Sequence, residues 1–207
     1  MQSKTIALVA GLTLLAALVS LRFTLRPAQP QVDHAVYTSL GQGLAQEAAT
    51  AIHDRGQIVT ISADFHANSG TVWHEQWQAF TSELKKHTSI NLAPPEIVTS
   101  VHISLVDILD RHPQAGAIVY FTDPPDELDL EAVASRSALP KILVVGNPDL
   151  SVKSYYGKFI TRGILTALIV PRSVNDVAPP AEPKTPREWF DRYYRVYTPQ
   201  NISMLPE

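Results

Sequence analysis

Cysteine is absent from the 207 residues. Disulfides, thiolate metal sites and a cysteine nucleophile are therefore excluded, and the redox state of the compartment leaves no trace. A basic stripe is also missing: 17 Lys and Arg stand against 20 Asp and Glu, interspersed, with a formal net charge of -3. Nothing in that pattern tracks a phosphate backbone, so nucleic acid is not an expected partner. There is no internal repeat, no phosphate-cradling glycine loop and no nucleophile motif, so no cofactor is expected and the chain reads as non-enzymatic. What is present is apolar. With 45% hydrophobic and 18% charged residues, the chain can fill the core of one domain and leave a small appendage.

The longest apolar run lies at the N-terminus. Ile6 to Leu25 is interrupted only by small hydroxyl residues and Arg22, and at about 1.5 Å per helical residue it matches a ~30 Å hydrocarbon core. The expectation is one transmembrane helix over residues 5–26, with a cleaved signal peptide as the alternative. Lys4 supplies a positive n-region, but no clear A-x-A site follows the run. Arg22 and Arg26 balance Lys4 across the segment, so local charge does not orient it. Residues 27–32 read as an extended, proline-bounded spacer.

Residues 33–173 alternate helix and strand. A helix from about Asp33 to His53 carries Val36, Leu40, Leu44, Ala48, Ala51 and Ile52 at spacings of three and four; Gly41 and Gly43 weaken it and Gly56 ends it. A strand over Gln57 to Asp64 follows, then a helix from Gly70 to Lys86 with Val72, Trp73, Trp77, Phe80 and Leu84 as its apolar stripe. A weak strand between Ile90 and Val98, broken by Pro94-Pro95, belongs at a sheet edge. After a helix over Ser104 to Asp110, the uniformly apolar Ala117 to Phe121 suits a strand covered on both faces at the centre of the fold. A helix over Leu128 to Ser137, strand Lys141 to Val145, helix Ser151 to Arg162 and strand Ile164 to Val170 complete the series. This order predicts an α/β fold: an open parallel sheet of Rossmann-like or flavodoxin-like, three-layer architecture in a single domain. Residues 174–207 form a strap with four prolines between Val174 and Pro186 and then an aromatic tail.

Open α/β sheets bind ligands at the carboxyl ends of their strands, which selects Asp64, His66, Asn68, Thr122, Asp123, Asn147 and Arg172 as candidate ligand-binding residues. Asp64, His66, His74 and Glu75 have metal-ligating chemistry, but their spacing matches no metal signature. Asp64 and Asp123 could exchange protons, yet solvated carboxylates at helix starts account for them more simply. Trp189, Phe190, Tyr193 and Tyr194 are candidate partner-binding residues, since so much aromatic surface must cover something, either the chain's own domain or another protein.

Seven fragments in order resemble the second lobe of a type I periplasmic binding protein of the sugar-binding kind. They are GLAQEAATAIHDRGQIVTI, TVWHEQWQAF, ILDRHPQAGAI, YFTD, VVGNP, RGILTALIVPR and VYTPQN, and the resemblance runs almost continuously from Leu40 to Ser203. The resemblance implies an extracytoplasmic domain in which a first lobe would close over a sugar. Here the expected anchor falls where that lobe would begin. The family's sugar-holding positions fall near His74 or Gln76 and on Thr122, Pro148 and Pro171, with only Asp123 kept. A prolyl ring has no side-chain donor or acceptor, so weak or absent sugar binding is expected. The resulting expectation is a single-pass protein of the cell inner membrane with its domain in the periplasm. It would touch the lipid bilayer through its N-terminal helix and dock on other membrane or periplasmic subunits. A tethered sugar-like sensor is the alternative.

Overall fold

In the computed structural model, the described residues are 34–62, 71–98, 104–122, 125–136, 138–146, 152–172 and 183–205. The expected anchor and spacer, residues 5–32, lie outside them, as does most of the strap. Among the described residues no helix is long and apolar enough to cross a membrane.

Helix α1 (His34–Ala51) opens the fold. Its exit is set by His53 and Asp54, both at positive φ, and by Gly56 at φ 115°, a backbone turn that non-glycine residues adopt at a cost. Strand β1 (Gly56–Ser62) follows, then α2 (Val72–Leu84), β2 (Ile90–Leu92), β3 (Glu96–Ile97) and α3 (Leu105–Arg111). The chain continues through β4 (Ala115–Tyr120), α4 (Glu127–Val133), β5 (Lys141–Val145), α5 (Val152–Thr161) and β6 (Ala167–Pro171). It ends in α6 (Pro186–Tyr193), β7 (Tyr194–Tyr197) and a short 3-10 turn (Ile202–Met204).

The sheet order is β2-β1-β4-β5-β6-β7, with β3 also on β1. All pairings are parallel except β6 with β7. The mostly parallel α/β sheet expected from the sequence is therefore present. The weak edge strand is split as its prolines require: Gly56, Gln57 and Ile58 pair with β2, and Ile61 and Ser62 pair with β3. Pro94 and Pro95 occupy the gap, having no N–H to offer a ladder.

Two buried layers sandwich the sheet. One joins α1, α2 and α6 to Ile58, Ala117, Val119, Phe121, Leu143 and Ile169; the other joins α3, α4 and α5 to Val59, Ile61, Ile118, Tyr120, Val144 and Leu168. The alternation along β4, with every residue from Ala117 to Phe121 at most 3% exposed, is what burial on both faces demands of a central strand.

Three local readings are revised. Gly41 and Gly43 are contact points, because a Cβ on Gly41 would lie 2.1 Å from the Gln76 carbonyl oxygen and one on Gly43 would lie 2.2 Å from the Phe190 ring. Trp73 is 43% exposed; it lies outside the apolar stripe, where Gln76 and Glu83 are buried instead. The last strand is shorter than its apolar run, since Ile164 and Leu165 are buried in the approach to β6 and lie outside the ladder.

Candidate functional site

Crossovers leave β1 and β4 toward opposite layers, which makes the carboxyl ends of those two strands the switch point where open α/β sheets carry their ligand crevice. Helix α2 leaves β1 on one face and α4 leaves β4 on the other. The crevice edge is therefore built by Ser62, Phe121 and Thr122 with the first turns of α2 and α4. Because α1 leads into β1, its first turn lies at the same edge, where His34 Nδ1 is 2.7 and 2.8 Å from the two Glu75 oxygens.

Of the sequence-selected ligand residues, Asp64, His66, Asn68, Asp123 and Asn147 lie outside the described residues. Thr122 is half-buried directly after β4. Arg172 follows β6, but its Nε donates to the Tyr194 carbonyl at 3.1 Å and its backbone N–H to the Tyr193 carbonyl at 2.8 Å. It fastens the tail to the sheet, and only the remainder of its guanidinium could reach a ligand. Among the described residues no group of three or more His, Asp or Glu is arranged to hold a metal ion.

Beneath the edge lies a polar junction that sequence spacing does not reveal. Ser104 Oγ accepts from the Val106 N–H at 3.2 Å, capping α3, and donates to Asp129 Oδ1 at 3.1 Å in the first turn of α4. Asp126 caps α4 through the Asp129 N–H at 2.8 Å. The Tyr120 hydroxyl is buried beside this junction and, among the described residues, has no hydrogen-bond partner. Burial, with the Asp129 charge in support, raises its pKa far above the ordinary phenol value. Ser62 Oγ, at the end of β1, is also buried with no partner among the described residues. A 25-residue separation between Ser104 and Asp129 is invisible to any local pattern. Trp73 and Leu128, 43% and 80% exposed, stand in the first turns of α2 and α4, one on each side of the crevice. At the opposite, amino-terminal edge, an open depression of about 520 Å³ is lined by residues including Leu109, His112, Arg136, Leu139 and Pro140. None of the sequence-selected residues lines it.

The aromatic tail divides. Phe190 and Tyr194 are 1% and 5% exposed and stack at 5.6 Å within the chain's own core, so they are not open to a partner. Trp189 and Tyr193 remain half-buried and stack on each other at 5.6 Å.

No protein-family model and no curated protein matches the chain. Solved structures do. An ABC transporter solute-binding protein from Burkholderia graminis, in complex with D-arabinose, superposes with a TM-score of 0.59 at 15% identity, over 82% of this chain and 62% of that one. The fold is that of a solute-binding-protein lobe. AraP, an arabinose-binding protein from Geobacillus stearothermophilus, gives 0.57 at 13% identity over 83% of this chain and 63% of that one. The XylFII-LytSN complex gives 0.52 at 14% identity over 80% and 61%. The chain thus spans under two thirds of the length of each, so the likeness covers the lobe and not the whole of those proteins.

Proposed function

We propose that this chain is a non-enzymatic, extracytoplasmic accessory subunit, anchored in the inner membrane by residues 5–26, that docks on a larger membrane protein complex through its lobe-like domain. The observation that carries this reading is a lobe-like fold at whose strand ends the described charged side chains are already engaged within the chain. Arg172 holds the tail, Glu75 holds His34, and Pro171 offers no side-chain donor. A small ligand on one open edge keeps much of its surface in water, which limits its affinity. The XylFII-LytSN structure supports the docking reading, as a chain of this fold solved in complex with another protein.

Sugar sensing is the second reading, favoured by the D-arabinose in the Burkholderia protein and by the polar residues that the sequence puts after its strands, Asp64, His66, Asn68, Thr122, Asp123 and Asn147. A thermal-shift series with D-arabinose and related sugars separates the two. A ligand at 100 times its Kd adds about 2.7 kcal/mol, or about 5–10 °C in Tm for a domain of this size. The docking reading expects no shift; a shift abolished by Asp123→Ala would establish sensing.

A further inference from the structure

We propose that the outer face of α6, formed by Trp189, Arg192 and Tyr193, is the surface on which a protein partner docks, and that the partner presents a carboxylate beside an apolar side chain. This rests on the docking reading above. Residues three and four apart share a helix face, and here Trp189 and Tyr193 lie nearly parallel, 10° apart, with the Arg192 guanidinium 5.7 Å from the Tyr193 ring. Buried Trp, Tyr and Arg at the centre of a patch are the residue types that carry most protein-interface energy. The inner aromatic pair, Phe190 and Tyr194, packs α6 on α1 with part of Tyr193 against the same cluster, so Trp189 and the remaining edge of Tyr193 are presented on a packed support.

Charge selects the occupant. Glu188 accepts from the Lys184 N–H at 2.8 Å, and Asp191 pairs with Arg187, which also reaches Glu47 at 3.0 Å. The acids of this helix are thereby engaged. Among the described residues, Arg192 has no acidic partner, and its Nε is buried with no acceptor. An unpaired, partly desolvated guanidinium is best completed by a carboxylate in fork geometry. A second copy of the chain would oppose arginine to arginine across the contact. A lipid surface is recognised by clusters of about four to eight cations, more than this patch holds.

The test uses the full-length protein in its native cells, with benzoylphenylalanine incorporated at Asp191 or, separately, at the crevice positions Thr122 and Leu128. A protein adduct at Asp191 is expected, falling about tenfold or more in Arg192→Glu. It should fall less in Arg192→Gln and recover when the partner's contacting carboxylate is replaced by arginine. Urea unfolding of both variants verifies the fold, and Arg192→Gln is decisive if Arg192→Glu does not fold. An adduct indifferent to Arg192, a phospholipid adduct or a dimer of this chain would overturn the proposal. Protein adducts at Thr122 or Leu128 alone would overturn this surface and leave docking standing; no protein adduct at any position would overturn both.

Discussion

Replacing Gly43 by alanine tests whether α1 is held by its intrinsic preference or by the tail packed against it. Alanine is favoured over glycine inside a helix by about 1 kcal/mol, so a helix weakened by its glycines should gain stability. The structure predicts the opposite sign. A Cβ at this position would meet three atoms of the Phe190 ring at 2.2, 2.5 and 2.5 Å, and Phe190 is only 1% exposed with no open space to retreat into. Overpacking of this kind costs about 1–3 kcal/mol; contact with a ring body places it near 3, leaving a net loss of about 2 kcal/mol. With a urea m-value of about 2 kcal/mol/M, the midpoint should fall by about 1 M. Phe190→Ala alone should cost about 3–5 kcal/mol. In that background Gly43→Ala should raise the midpoint by about 0.5 M, because the methyl then has room and only the helix preference remains. A Gly43→Ala variant more stable than the parent would refute the close α1–α6 packing.

Three further outcomes follow from named groups. Glu96 accepts from Arg111 Nη2 at 2.8 Å and lies 2.6 Å from His112 Nε2, and these contacts, led by Arg111, hold its carboxyl below the ordinary range against the opposing effect of burial. Its folded pKa is lower than its unfolded one, so the stabilisation is complete above about pH 4.3 and is lost as pH falls through the folded value. Urea midpoints of Glu96→Gln should therefore decline less between pH 5 and pH 3 than those of the parent (pH range about that of the unfolded carboxyl). Tyr120→Phe removes a buried hydroxyl that lacks a partner among the described residues and should raise stability by about 1 kcal/mol, read as a higher Tm by calorimetry. Ser104→Ala removes both the α3 cap and a donor to buried Asp129 and should cost about 2 kcal/mol in urea; an unchanged midpoint would show that the junction is not formed.

The fold was legible where burial is dictated locally. A run such as Ala117 to Phe121, apolar at every position, fits a strand covered on both faces, and Pro94-Pro95 marks the break in the edge strand because neither residue can donate to a ladder. Reading failed where a residue's role is set by something distant in the chain. Gly43 looks like a helix defect until Phe190 arrives from 147 positions later (190 minus 43). Arg172 looks like a wholly free cation, whereas the tail carbonyl of Tyr194 accepts its Nε and leaves only the rest of the guanidinium for a ligand. Trp73 matches the helical period of its neighbours, yet it stands in the first turn of α2, beyond the sheet it would cover. The aromatic tail was recognisable as surface that must be covered, but not how its aromatics divide between core and exterior. Strand ends can be counted from the sequence and select the edge, but five of the seven ligand residues selected there lie outside the described residues. The site's buried polar groups, Ser104, Asp129 and Tyr120, come from three separate elements and have no shared motif.

The docking account is tested most directly by the mass of the particle that carries this chain. Extracted from native membranes in mild detergent and weighed by native mass spectrometry, the full-length protein should appear in a complex with a second, stoichiometric protein, and the complex should dissociate in Arg192→Glu. A particle consisting of this chain alone, as monomer or homo-oligomer, would contradict the account.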